Sequence, residues 1–368
     1  MPAAAHPPIS VSILTGFLGA GKTTLLNRLL KDPALENTAV IINEFGEVSV
    51  DHLLVEQASD GVIQLADGCL CCTVRGELVD TLADLVDRMQ TGRIAPLKRI
   101  VVETTGLADP VPVLQAVMGH PALVQALRLD GVICVVDAVN GAATLDAHHE
   151  AVRQVAVADR IVVAKSDLAD TATLAELESR LSSINPRAEQ RPAAEADAAQ
   201  LVGCGLYDPD TKTADVRRWL GEDEHDHHHH HGHDHDHSHD HHHHDHRVRT
   251  MSLVHDRPVP FAAIEMFLDL LRSTQGPKLL RMKGVIELAE DPDRPLVIHG
   301  VQTLLHPPAR LPASPDGARG TRIVLITHDL SEIYVRRLFS AFMGEAAVDT
   351  PDRAAMEHNP LAIAGFRG

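Results

Sequence analysis

The run Gly16-Phe-Leu-Gly19-Ala-Gly21-Lys22-Thr23 has the spacing G-x-x-x-x-G-K-[ST]. Glycines at these points let backbone N–H groups turn inward around phosphate oxygens, and a helix starting at Lys22 adds a partial positive charge there. In such a loop Lys22 reaches the β- and γ-phosphates and the Thr23 hydroxyl ligates Mg²⁺. Gly16, Gly19, Ala20, Gly21 and Thr24 complete the cradle. A chance glycine turn would not need an apolar strand before it and a helical pattern after it. Here Ile9–Leu14 and Lys22–Leu30 supply both.

Base recognition is the next chemistry to look for. In Ala164-Lys165-Ser166-Asp167, a carboxylate at Asp167 can accept hydrogens from guanine N1 and its 2-amino group. Adenine would present an acceptor at N1 and leave two acceptors face to face. The familiar pattern is Asn-Lys-x-Asp, and Ala164 stands where the Asn would be. Standing alone, Lys-Ser-Asp is also an ordinary surface tripeptide. Guanine is the expected base.

Three thiols crowd into Gly68-Cys69-Leu70-Cys71-Cys72. Cys69, Cys71 and Cys72 can converge on one borderline or soft ion such as Zn²⁺ or Co²⁺. Three thiolates leave a tetrahedral site one ligand short, which suits temporary holding and hand-over. A reactive vicinal pair or inert buried thiols are the alternatives. Cys134, inside the apolar run Val132–Val136, reads as core, and Cys204 has no partner in the sequence.

Two acids follow apolar runs: Glu44 in Asn43-Glu-Phe-Gly46 and Glu103 in Glu103-Thr-Thr-Gly106. Beside a phosphate loop either can hold Mg²⁺ through water or orient the attacking water. Glu44 can equally give an oxygen ligand to the cysteine site. Lys22, Glu103 and Glu44 are therefore the expected catalytic groups, although surface or capping roles are open to both acids.

Residues 221–246 hold 15 His, six Asp and two Glu, with no apolar side chain. Nothing there can offset ordering entropy, so a flexible linker is expected at 221–247. Neutral imidazoles bind divalent transition ions, making the tract a metal-collecting arm. It is internal, irregular and interrupted by acids, unlike a purification tag.

The remaining sequence must position these groups. Val/Ile-rich runs at Ala39–Asn43, Val62–Leu65, Arg99–Glu103, Gly131–Asp137 and Arg160–Ala164 read as strands buried on both faces. Helical spacing spans Arg75–Gln90. Such strands imply a doubly wound, mainly parallel sheet covered by helices over residues 1–220. The pattern loosens after about residue 186, and Arg217–Leu220 reads as the close of a helix.

Past the tract, residues 248–368 read as a smaller α+β domain. Strands are expected at Val248–Val254, Leu279–Leu288, Leu296–Leu305 and Arg322–Thr327. A helix from about Pro260 should bury Phe261, Ile264, Phe267, Leu268 and Leu271, and a second should span Ser331–Met343.

Composition excludes several classes. The 368 residues carry 33 Lys+Arg against 51 Asp+Glu, a net charge of −18, and only 3% are aromatic. That is wrong for nucleic-acid binding, which wants basic surface and stacking rings. Five cysteines, three of them crowded into four positions, are no disulfide framework. The N-terminus lacks the positive start and apolar run of a signal peptide, and no run approaches about 18 apolar residues. A cytoplasmic protein without a membrane span is expected.

Together these pieces resemble the CobW-like metallochaperone GTPases, relatives of the nickel-insertion GTPases of urease and hydrogenase. The resemblance rests on Gly16–Thr24, Asn43–Gly46, the Cys69–Cys72 motif, Glu103–Gly106 and Lys165–Asp167, and continues through Arg281-Met-Lys-Gly284 and His299-Gly-Val-Gln302. It implies GTP hydrolysis coupled to passing Zn²⁺, or in some branches Co²⁺, to a client metalloenzyme. Ala164 is the departure from the guanine pattern. The rival readings are cobalt delivery for cobalamin synthesis, a passive metal reservoir, and a small-molecule kinase built on the same loop.

Overall fold

The computed structural model describes residues 7–43, 62–64, 73–203, 247–311 and 319–344. In the first part of the chain the strands are β1 (Ile9–Gly16), β2 (Thr38–Asn43), β3 (Val62–Gln64), β4 (Arg99–Thr104), β5 (Leu127–Asp137), β6 (Arg160–Ala164) and β7 (Glu189–Pro192). They form one sheet in the order β3-β2-β4-β1-β5-β6-β7, and every neighbouring pair is parallel. Between them run α1 (Lys22–Leu29), α2 (Thr73–Gln90), α3 (Val111–Gly119), α4 (Gly141–Ala147), α5 (His149–Ala156) and α6 (Thr171–Ile184); α7 (Ala198–Leu201) follows β7.

The strands expected in this sheet are all present. Every residue of β6 is buried, and β4 is buried from Ile100 onward, because helices cover both faces. One apolar layer holds Ile13, Ile41, Leu78, Leu82, Val102 and Leu114, and the other holds Leu14, Leu26, Val40, Val101 and Val162. From central β1 the order runs outward to β4, β2 and β3 on one side and to β5, β6 and β7 on the other. That switch point gathers the carboxyl ends of β1, β4 and β5 at one crevice.

Strand β7 departs from the sequence reading. Its residues, Glu-Gln-Arg-Pro, carry no apolar signal and are half-buried. Pairing with β6 at the sheet's edge makes it a strand, a place that tolerates Pro192.

The second sheet is antiparallel, ordered β11-β10-β9-β13-β8, with β12 also on β10. Its strands are β8 (Val248–His255), β9 (Leu279–Leu288), β10 (Asp291–Val301), β11 (Leu304–Leu305), β12 (Ala309–Arg310) and β13 (Thr321–His328). Helices α8 (Phe261–Gln275) and α9 (Glu332–Phe342) cover one face, where Phe267 meets Phe339 edge-on at 5.2 Å. The alternation of a strand sends the other residues the opposite way. Val248, Leu280, Val301 and Ile326 join the core of the first sheet.

Two expectations here are corrected. Leu296–Leu305 is not one strand: Gln302 takes a left-handed conformation (φ 54°) and turns the chain, so Gly300 pairs with Leu305. Phe261 is not buried but 41% exposed. It is the first residue of α8, where the Glu290 carboxylate accepts its backbone N–H at 3.0 Å. The buried stripe starts at Ile264.

The polar part of the junction between the sheets centres on Asp159. Its carboxylate accepts from Val132 N at 2.8 Å and Arg281 Nη2 at 2.6 Å, and Lys283 Nζ also donates to it. Burial alone would raise this carboxyl's pKa, but Arg281 and Lys283 together hold it far below the usual range. Residues 221–246 and Arg217–Leu220, read as linker and helix end, lie outside the described residues.

Candidate nucleotide and metal site

The phosphate loop grows from the last residue of β1. Gly16 has φ 141°, and a Cβ there would sit 2.3 Å from the Val135 carbonyl oxygen, so only glycine lets the chain turn beside β5. Gly21, at φ 96°, is the left-handed residue before α1. Lys22 and Thr23 occupy the first helical turn, both buried, and Lys22 Nζ donates to Phe17 O at 3.4 Å. The N–H groups of that turn have no partner earlier in the helix and are the donors a phosphate needs. Thr24 is exposed.

Glu103 lies near the carboxyl end of β4, adjacent to β1. Its Oε1 accepts from the Thr23 hydroxyl at 2.9 Å, both side chains being buried. Next to it, the Thr104 hydroxyl donates to that of Thr15 at 2.9 Å. Gly106 presses on the phosphate loop: a Cβ there would meet Leu18 Cα at 2.5 Å.

The expected base-reading segment follows β6. Lys165 is left-handed (φ 58°), and its Nζ donates to Gly19 O at 2.8 Å and to Asp137 Oδ2 at 2.7 Å. Asp167 is exposed in the short turn beyond. Ala164 is buried, with its Cβ 3.8 Å from where a Cβ on Gly21 would lie.

Asp137, which ends β5, was not singled out by the sequence reading. Besides Lys165 it accepts from Val139 N at 2.8 Å and from Asn140 N at 3.1 Å. Partial burial pushes its pKa up, but the Lys165, Asn140 and Val139 hydrogen bonds win and lower it. The available signal was an acid ending an apolar strand, the same one that marked Glu103.

Cys134 is core, as expected: its thiol is buried and burial pushes its pKa up to about 12, against a smaller downward pull from Lys22. Glu44, Cys69, Cys71 and Cys72 lie outside the described residues. The described chain breaks off at Asn43, opposite Thr104 at the carboxyl end of β2, and again at Gln64 in β3, which pairs with Ile42. Those strand ends share the crevice side with Gly16 and Glu103. Among the described residues no group of three or more His, Cys, Asp or Glu could hold a metal ion. No described helix is long and apolar enough to cross a membrane.

Two family models match this chain. Residues 10–191 match the CobW/HypB/UreG nucleotide-binding domain, and residues 248–343 match the cobalamin synthesis protein cobW C-terminal domain. The chain belongs to the CobW family. Among its CobW relatives, the zinc chaperone YjiA of Escherichia coli (strain K12) is 35% identical over 302 residues, 81% of this chain and 87% of that one. The zinc chaperone CobW of Sinorhizobium sp is 30% identical over 378 residues, 91% and 97% of the two chains. The crystal structure of Zn(II)-bound YjiA GTPase from E. coli matches with a TM-score of 0.63 at 30% identity, covering 92% of this chain and 99% of that one.

Proposed function

We propose that this CobW-family protein is a GTP-hydrolysing metallochaperone that holds Zn²⁺ at Cys69, Cys71 and Cys72 and passes it to a client metalloenzyme. The observation that carries the reading is the buried Thr23–Glu103 contact beside an intact phosphate loop. A vestigial nucleotide fold in a passive metal store would have no need of it. The relatives described as zinc chaperones favour Zn²⁺ as the cargo over Co²⁺.

The residues divide into roles. The backbone of Gly16–Thr24 and the Lys22 ammonium bind the triphosphate. Asp167 reads guanine, while Lys165, held by Asp137 and Gly19, lies beside the base. Thr23 and Glu103 offer hydroxyl and carboxylate oxygens, the hard donors Mg²⁺ prefers, so these two would hold it. Mg²⁺, when bound, neutralises charge at the phosphate oxygens. Glu44 gives an oxygen to the zinc site or orients the water.

Zn²⁺ release then follows nucleotide state. Asn43 and Glu103 lie on neighbouring strands, so contacts to the γ-phosphate bias the segment that starts at Glu44. After hydrolysis those contacts vanish, thiolate affinity falls, and a client with a complete ligand set captures the ion. The histidine tract collects ions for loading. The C-terminal unit meets the client through the exposed Met266 of α8 and Ile333 of α9.

The test is turnover of GTP and ATP side by side, with and without Zn²⁺ and Co²⁺, for the protein and its Lys22→Ala variant. The reading expects GTP turnover that Zn²⁺ alters and that Lys22→Ala abolishes. Turnover indifferent to both metals, or equal use of ATP, contradicts it.

A further inference from the structure

Helix α5 carries a polar side chain that the nucleotide site as described does not use. Gln154 is 0% exposed. Its Nε2 donates to the carbonyls of Gly106 at 3.3 Å and Ala108 at 3.0 Å. The amide cannot sit the other way round, because Oε1 would then face two carbonyl oxygens. Its neighbour Arg153 pairs with Asp109 at 2.7 Å, so two consecutive residues of α5 grip the loop 106–109. Just before this helix, the ring of His148 stacks on Phe17 of the phosphate loop at 4.4 Å between centroids.

That loop is coupled to the site at both ends. Glu103, three residues before Gly106, accepts from Thr23, and Gly106 lies against the Leu18 backbone. Beside Gln154 is a cavity of about 250 Å³ that Phe17, Leu18 and Leu145 also line. A buried amide that uses both N–H groups on one loop is well placed to fix that loop's position.

We propose that Gln154 is a positioning residue for GTP hydrolysis, holding the Gly106–Asp109 loop at the γ-phosphate end of the site. The inference rests on the GTPase reading above. Gln154 touches no reacting atom and acts through the loop backbone alone. Its loss therefore weakens what distinguishes GTP from GDP and leaves the shared parts of the nucleotide alone.

Two variants test it in the full-length protein. Gln154→Met keeps length and removes both donors. It is expected to lower kcat for GTP roughly tenfold to a hundredfold, the scale of a small misplacement of reacting groups. GDP affinity should stay within about twofold, while affinity for a non-hydrolysable GTP analogue falls by more than that. Gln154→Glu keeps the shape, and its carboxyl can donate only when protonated. Its activity relative to the parent protein should therefore rise as pH falls from about 8 to 6. If Gln154→Met does not fold, the Gln154→Glu pH ratio decides. Unchanged kcat in Gln154→Met, equal loss of GDP and analogue binding, or a flat Gln154→Glu ratio would overturn the proposal. A parent protein that does not turn over GTP would instead sink the GTPase reading itself.

Discussion

Thr23 and Glu103 stand 80 residues apart in the chain, yet the hydroxyl of one donates to the carboxylate of the other at 2.9 Å. Strands β1 and β4 make this possible by running parallel and in register, with Leu14 opposite Glu103. The contact joins the helix that ends the phosphate loop to the strand that leads into Gly106.

Replacing either partner should damage turnover more than folding. Thr23→Ala removes the hydroxyl proposed to hold Mg²⁺ and is expected to cut kcat about a hundredfold. Glu103→Gln, nearly isosteric, should cost about ten- to a hundredfold. Steady-state GTP hydrolysis against Mg²⁺ concentration checks both, with an increased Mg²⁺ requirement as the signature.

The Lys165–Asp137 pair predicts a different split. Asp137→Asn weakens the charge-assisted bond that fixes Lys165, the residue proposed to lie beside the base. KM for GTP should rise about tenfold with kcat little changed. The Asp137 pKa is lowered, so its carboxylate stays charged above the ordinary Asp range. The KM effect should therefore be constant from pH 6 to 8, where kinetics at several pH values would reveal any departure.

Gly106→Ala probes the packing of loop on loop. Its Cβ would lie 2.5 Å from backbone atoms of Leu18, which cannot rotate away. One of the two loops must move, at a cost of about 1–3 kcal/mol. Both the melting temperature and the affinity for the GTP analogue should drop, and an unchanged analogue affinity would show that the loops yield without consequence.

The junction between the sheets sets the acid stability. Asp159→Asn leaves the buried Arg281 and the half-buried Lys283 without their counter-charge and should cost about 3–5 kcal/mol in denaturant unfolding. The folded Asp159 pKa is depressed, so its contribution is present above the unfolded value near ~4 and is lost as pH falls towards the folded one. His299 loses stability earlier. Its enclosure, with Arg281 and Lys283 adding to it, holds its pKa well below the usual value. Below about pH 6.5 the unfolded chain takes up a proton that the folded chain refuses, so stability falls as pH drops. His299→Gln should flatten unfolding free energy between about pH 6.5 and 5.

What the sequence made legible was contiguous or strongly periodic. Gly16–Thr23 needs only local spacing, and β4 and β6 announce themselves through Val and Ile. Asp137 and Lys165 are 28 residues apart and meet only because β5 and β6 pair, so no local pattern links them. Gln154 sits on a helix face that hydrophobic periodicity scores as a polar interruption, although it is fully buried. The turn at Gln302 was hidden because a left-handed conformation there is expected of Gly or Asn. A tertiary constraint holds it: Gln302 N donates to Leu279 O at 2.8 Å, and its side-chain carbonyl accepts from Gln115 at 2.8 Å.

The most direct test is Zn²⁺ affinity measured by competition with a chelator in three states: nucleotide-free, GDP-bound, and bound to a non-hydrolysable GTP analogue. The analogue-bound and GDP-bound forms should differ at least about tenfold, and the difference should disappear in a Cys71→Ser, Cys72→Ser variant. Equal Zn²⁺ affinity in all three states would contradict Zn²⁺ release that follows nucleotide state.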